Sequence, residues 1–394
     1  MAENSSDAFL EGRGIPVGLP EINTTLEQLW GPAAERLGGP EPEEPNVTRV
    51  VLGNLVVERL DPDVKLLSQV LETVVARFPC RTIVLRESDD PERRITAEVS
   101  AVCHLPDPGR PQVCSERIVL KAGAGAVGML PGAVRPLLES GLPMILWWTT
   151  DPTRNEALFR DLADGSFRVL LDLPDPGASA SALRLGLDPS LNSCSRDAVW
   201  YGLAHWRELI AQFFDVPQHL ETLGRIDSVR IEGLSPDPTR PPRLALWLAS
   251  WLAGQLGWKT KGEAVNAPDG DGSRFRADFE GPGGPLEVEI QTGPFPDGAP
   301  DDAPAIPRLT GVTITAHGDR GLETFRLHRP KPDSAEIRVQ ADAPDYCRLP
   351  STVNAGPIDA ARRVASALEL SRFDPPFEKA LPFMLWMLER AESA

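Results

Sequence analysis

The sequence predicts a two-domain α/β protein. A mixed sheet with flanking helices comes first, followed by an α+β domain of antiparallel strands with closing helices. Three observations carry this. Between residues 49 and 171, short apolar runs alternate with segments whose apolar residues recur at helical spacing. From residue 274 onward, short runs follow one another with turn residues between them and no helical pattern intervening. Finally, 394 residues with 41% hydrophobic content are enough for two ordinary cores.

The elements follow in order. Gly38-Gly39-Pro40-Glu41-Pro42-Glu43-Glu44-Pro45 has no apolar side chain to bury and reads as a linker. Residues 1–47 are therefore a leading segment, 48–175 the first domain and 176–394 the second. Residues 49–57 form a buried strand. Val64, Leu67, Val70, Leu71, Val74 and Val75 mark a helix, and a strand starts at Arg81. Residues 93–104 and 111–121 are two strands joined by the turn Pro106-Asp107-Pro108-Gly109. A helix over 130–139, an apolar strand ending in Trp147-Trp148, a helix over 154–163 and a strand over 167–171 complete the first domain. Pro174-Asp175-Pro176-Gly177 opens the connection to the second.

That domain starts with a helix carrying Val199, Trp200, Leu203, Trp206, Leu209, Ile210 and Phe213 on one stripe. A strand over 225–231 and a helix over 244–256, apolar nearly all round, come next. Strands are expected over 274–280, 286–291, 309–316, 322–328 and 335–340, with a surface loop over 293–304. Helices over 352–370 and 375–390 close the chain.

A formal charge of -17 argues against nucleic acid or an anionic membrane as partner, because a polyanion is repelled. No signal peptide or membrane-length apolar run is visible, so a cytoplasmic location is expected. Cys80, Cys103, Cys114, Cys194 and Cys347 are odd in number and scattered, the pattern of reduced, mostly buried thiols.

Candidate chemistry is sparse. Gly123-Ala124-Gly125-Ala126-Val127-Gly128 is a literal G-x-G-x-x-G between a strand and a helix, with Asp151 near where a ribose-binding acid is expected. A dinucleotide site also needs a straight helix whose N-terminus faces the pyrophosphate. Pro136 interrupts that helix, so a glycine-alanine loop is the preferred reading and a nucleotide-binding oxidoreductase the alternative. Cys103, His104 and Cys114 lack metal-ligand spacing, and His205 and His219 lack a readable nucleophile or carboxylate partner. Ser193-Cys194-Ser195-Arg196-Asp197 supplies a helix cap. No catalytic, cofactor or metal site is therefore expected. The paired tryptophans at the end of their strand face opposite sides of the sheet, leaving one free to line a cleft or partner surface. Trp147, Trp148, Asp151 and Arg154 are accordingly the candidate partner-binding residues.

Six blocks together resemble the glucose-6-phosphate dehydrogenase assembly protein family (OpcA-like). They begin with Phe78-Pro79-Cys80-Arg81-Thr82-Ile83-Val84, in which Phe78 replaces the family's usual histidine. Val113-Cys114-Ser115-Glu116-Arg117-Ile118 and the segment from Leu137-Leu138 through Leu142-Pro143 to Trp147-Trp148 follow. The second domain contributes Asp197-Ala198-Val199-Trp200 with Trp206-Arg207 and Phe214-Asp215, then Trp251-Leu252-Ala253 with Leu256-Gly257-Trp258. Asp374-Pro375 with Phe377 and Ala380-Leu381 closes the series. The resemblance implies a non-catalytic cytoplasmic protein without a cofactor that binds glucose-6-phosphate dehydrogenase and promotes its assembly or active state. Some relatives are linked to redox control by thioredoxin-type proteins; here no close cysteine pair is present in the sequence.

Overall fold

Runs of β-branched and leucine residues punctuated by polar turns build the centre of the first unit. The structure is a computed structural model. It describes residues 13–36, 47–58, 64–88, 94–104, 112–175, 178–191, 194–215, 217–296, 306–319, 321–344, 346–356, 360–369 and 373–392. The Gly38–Pro45 linker and the Pro106–Gly109 turn lie outside these residues, as does most of the loop over 293–304.

In chain order the first elements are β1 (Ile15–Val17), α1 (Ile22–Arg36), β2 (Val47–Arg49), β3 (Asn54–Glu58), α2 (Val64–Arg77) and β4 (Arg81–Ser88). Next come β5 (Ile95–His104), β6 (Gln112–Gly123), α3 (Leu130–Val134), β7 (Met144–Trp148), α4 (Glu156–Asp164), β8 (Arg168–Leu171), α5 (Ala180–Gly186) and β9 (Cys194–Asp197). They form one nine-stranded sheet in the order β1-β5-β6-β4-β3-β7-β8-β9, with β2 beside β6. Strands β6, β4, β3, β7, β8 and β9 are mutually parallel. Numbered among themselves, they take the order 3-2-1-4-5-6 of doubly wound dinucleotide folds. The step from β4 to β6 is made by β5, antiparallel to β6, instead of by a helix.

The compact units are not the linear halves expected. The first takes Met1–Leu173, Leu185–Ala198 and Ala360–Arg372; the second takes Pro174–Arg184, Val199–Asp359 and Phe373–Ala394. The leading segment is no separate piece, since β1 pairs with β5 and Ile22, Leu26 and Leu29 of α1 are buried. Late in the chain, α10 (Ala360–Glu369) returns to pack against α2. Each unit draws on separate stretches of the chain, because covering a parallel sheet requires apolar faces wherever in the chain they occur.

The second unit contains α6 (Ala198–Tyr201, all but its first residue), α7 (Ala204–Phe213), α8 (Pro217–Leu220), β10 (Ile226–Leu234), α9 (Arg243–Leu256) and β11 (Lys259–Asp269). Then follow β12 (Gly272–Gly281), β13 (Gly284–Gly293), β14 (Arg308–Gly318), β15 (Gly321–His328), β16 (Glu336–Ala343), β17 (Tyr346–Asn354) and α11 (Pro375–Glu392). Its eight-stranded sheet runs β11-β12-β13-β10-β14-β15-β16-β17, antiparallel except for β10 beside β13. Alternation sets the faces: in β12, Phe275, Ala277 and Phe279 are buried while Arg276 and Asp278 are exposed. As its all-round apolar pattern predicts, α9 is buried along most of its length. It crosses α11 so closely that a Cβ at Gly254 would lie 2.6 Å from the Lys379 carbonyl oxygen. Gly257, with φ of 65°, ends the helix in the left-handed conformation.

One expectation about cysteines is corrected. Cys103 and Cys114 sit opposite each other in the β5–β6 register, 4.0 Å apart at Cα, and form a disulfide. Cys80 is buried and its thiol is pushed up to about 12 by that burial, whereas Cys194 is half-buried. The Cys347 side chain lies outside the described residues. Cysteine usage therefore no longer argues for a reducing compartment.

Candidate partner-binding site on the first sheet

In a doubly wound sheet, ligands enter at the carboxyl ends of the strands where the strand order reverses. Here that point lies between β3 and β7, and Glu58 at the end of β3 is level with Trp148 at the end of β7. Glu58 is fully buried. Its Oε2 accepts the backbone N–H groups of Thr149 at 3.1 Å and Thr150 at 3.2 Å, and its Oε1 accepts the Thr150 hydroxyl at 3.0 Å. The Thr149 hydroxyl donates back to the Glu58 carbonyl at 2.8 Å. The chain thus fills its own switch point with a carboxylate that accepts three hydrogen bonds from Thr149 and Thr150.

The sequence that follows β3, where a dinucleotide fold places its glycines, is Arg59-Leu60-Asp61-Pro62-Asp63; it lies outside the described residues and contains no glycine. The Gly123–Gly128 motif instead follows β6, the third parallel strand. Residues 124–129 coil as 3₁₀ turns into α3, only five residues long, and a further 3₁₀ turn at Arg135–Leu137 holds Pro136. The expected 130–139 helix is broken there for the stated reason: proline has no N–H to donate.

Each predicted partner-binding residue has a definite place. Trp147 and Trp148 are 2% and 0% exposed, so the expectation that one ring is free at the surface is corrected. Both faces of β7 are covered, and Trp148 meets Phe159 of α4 edge-on at 5.1 Å. Neither indole N–H finds an acceptor among the described residues. Beyond them, Asp151 accepts the Thr153 N–H at 2.8 Å and its hydroxyl at 2.7 Å, capping the turn Pro152–Asn155. Arg154 points into solvent from that turn. The loop therefore displays Arg154 and Thr153 on a rigid base of buried tryptophan.

Three of the blocks that carry the family resemblance converge at the opposite, amino ends of the same strands. Glu116 is 1% exposed and accepts from Arg81 Nε at 2.6 Å, Arg49 Nε at 2.8 Å and Trp30 Nε1 at 2.7 Å. Arg81 also donates to the Leu137 carbonyl at 2.8 Å and pairs with Glu139 at 2.9 Å. The Asn54 side chain bonds both the N–H and the carbonyl of Glu139. This network was missed from sequence, yet it had a signal: Arg81 opens an apolar strand and Glu116 lies within another, and buried charges need partners. In the second unit, Trp200 Nε1 donates to Asp374 at 2.8 Å, and Asp374 caps α11 through the Phe377 N–H at 3.2 Å. Arg207 lies 3.8 Å from the Trp200 ring centroid, its guanidinium pushed down to about 10 by burial. Trp247 stacks on Phe377 at 4.9 Å. The resemblance blocks thus specify internal joints.

Comparison with known proteins agrees with these joints. The family model for the glucose-6-phosphate dehydrogenase subunit N-terminal domain matches residues 72–185, and that for its C-terminal domain matches residues 194–381. OpcA of Nostoc punctiforme, a protein named for the OxPP cycle, is 31% identical over 209 residues, covering 52% of this chain and 44% of that protein. OpcA of Synechococcus elongatus is 30% identical over 195 residues, covering 48% and 42%. The aligned segments thus span less than half the length of these curated relatives. Among solved structures, a protein from Parabacteroides merdae described as an oxidoreductase superposes with a TM-score of 0.52 at 9% identity, over 89% of this chain and 100% of that one. The 3-ketoreductase KijD10 from Actinomadura kijaniata superposes at 0.47 with 12% identity, over 88% and 96%. The first of these likenesses is one of fold. With both family models matched in order and their blocks forming the joints of each unit, the chain belongs to the glucose-6-phosphate dehydrogenase assembly (OpcA) family.

Proposed function

We propose that this chain is a non-catalytic cytoplasmic partner of glucose-6-phosphate dehydrogenase that promotes its assembly or active state in the oxidative pentose-phosphate pathway. Family membership supports the partner. The observation that carries the non-catalytic part is the switch point, occupied by Glu58 and its threonine donors where an oxidoreductase of this fold opens to its dinucleotide. An activator acts by binding one state of its target better than another, which requires a complementary surface and no reactive group. Asp151 and Arg154 are the contact residues in this reading, with Trp147 and Trp148 as the support that holds their loop.

The test is dehydrogenase activity at low glucose 6-phosphate, with and without this chain, using the enzyme of the same organism. A rise in apparent substrate affinity or turnover, with co-elution on size exclusion, is expected. No complex and no change in activity would end the proposal. Asp151→Asn with Arg154→Ala is expected to weaken the complex without unfolding the chain; unchanged affinity would remove the contact from this loop.

A further inference from the structure

We infer that Arg308 and Arg329 form a binding site in the second unit for a phosphate dianion, free or esterified. Arg308 opens β14, and Arg329 directly follows β15, its neighbour in the sheet. The Arg329 N–H bonds the Thr310 carbonyl at 2.8 Å, which keeps the two arginines on adjoining backbone. Their side chains meet one turn, Lys331–Ser334, closed by a 3.0 Å bond from the Ser334 N–H to the Lys331 carbonyl. Arg308 pairs there with the Asp333 carboxylate, and Arg329 Nη1 donates to the Ser334 carbonyl. An aromatic ring backs each guanidinium, Phe295 at 5.5 Å for Arg308 and Trp206 at 5.6 Å for Arg329.

The charges at this turn do not balance. Arg329 is only 8% exposed, and among the described residues its side chain bonds a neutral carbonyl and no carboxylate. The Nε atoms of both arginines are buried without an acceptor among the described residues. Burial and the nearby Arg308 charge together push the Arg329 guanidinium down from its ordinary value. Asp333 is the one described carboxylate that pairs with either arginine, and its side chain is 75% exposed. Lys331, in the same turn, adds a further cation. A buried cation beside a second one is costly until an anion lies against both.

The donors select the anion. Guanidinium groups are planar forks whose paired N–H groups match phosphate oxygens, and a dianion matches two positive charges where one carboxylate does not. Asp333 occupies the place the ligand takes. An exposed ion pair of this kind is weak, so a stronger anion displaces it. Entry is from the Arg308 side, where the side chain is 24% exposed. The chain's charge of -17 repels anions from afar, so affinity has to come from these two side chains.

The deciding measurement is the Tm of the full chain titrated with inorganic phosphate and, separately, with glucose 6-phosphate. Ionic strength is held constant, and chloride is the control. A ligand specific for the native state raises Tm, and a saturable rise with half-effect below about 10 mM is expected. Arg308→Gln, at a partly exposed side chain, is expected to raise the half-saturating concentration roughly tenfold. Asp333→Asn removes the competing carboxylate and is expected to lower it. Circular dichroism confirms that both variants fold. Arginines that merely anchor the turn predict the opposite: both variants shift Tm and leave the phosphate response unchanged, which overturns the inference. A wild type that responds to phosphate no more than to chloride overturns it too. Tighter saturation by glucose 6-phosphate identifies an ester as the ligand, and tighter saturation by inorganic phosphate identifies the free ion; either outcome supports the site. The dehydrogenase is absent from the assay, so the result is independent of the proposed function.

Discussion

The two edges of the first sheet are cut from the same parallel strands and are finished in opposite ways. At the carboxyl edge a buried carboxylate turns the backbone donors of the next loop inward, closing the crevice that this fold opens in dinucleotide enzymes. At the amino edge the buried charges also satisfy one another, but the connections above them present leucine, proline and phenylalanine to solvent. The lesson is that a family signature can mark the residues that hold one edge of a sheet together. Arg81, Glu116 and the Leu137–Pro143 segment are read as signature, yet their work is to hold the amino edge rigid.

The comparison breaks first at Glu116. Replacing it by alanine leaves Arg81 buried without its main partner, a loss expected to cost about 3–5 kcal/mol and visible as a large drop in denaturant midpoint. A change below about 1 kcal/mol would show that the amino edge is not held by this network. Next is Glu58→Ala, which strands the Thr149 and Thr150 donors and should cost about 2–3 kcal/mol. Glu58→Gln, keeping one acceptor oxygen, should cost less, and an equal loss would mean that the carboxylate matters for its charge alone.

Reduction of the Cys103–Cys114 disulfide should lower stability by about 2–3 kcal/mol, read as a fall in Tm on adding dithiothreitol. Unchanged Tm would show that the bond is absent in solution. Smallest of all, millimolar NAD or NADP should leave Tm where it is, because the carboxyl edge is occupied by the chain's own side chain. A clear rise would restore the oxidoreductase reading, since a ligand specific for the native state stabilises it by mass action.

Much of the fold was legible because burial on both faces of a parallel strand requires near-continuous apolar runs, and β3, β4, β7 and β8 have them. The strands at the margins were not legible. In β11 the run Lys259–Asp269 is exposed almost throughout and contains Pro268, which suits a sheet edge and has no periodicity to read. In β17, Pro350 breaks the pattern in the same way, and the strand displaced the start of the expected 352–370 helix to Ala360. At the candidate site, Asp151 caps the turn Pro152–Asn155 that carries Arg154. The burial of both tryptophans was not foreseen, because alternation places two rings on opposite faces without saying whether each face is covered.

Local chemistry therefore determined the α/β rhythm, the apolar second-unit helix, the break at Pro136 and the family blocks, since each depends on neighbours a few residues away. Only the tertiary structure decided the rest. It brought Glu116 to Arg81 and Cys103 to Cys114, placed the glycine motif after the third parallel strand instead of the first, and set Glu58 in the switch point. Those facts depend on strand order and register, which come from how two covered sheet faces bury the most apolar surface together, and no local pattern encodes them.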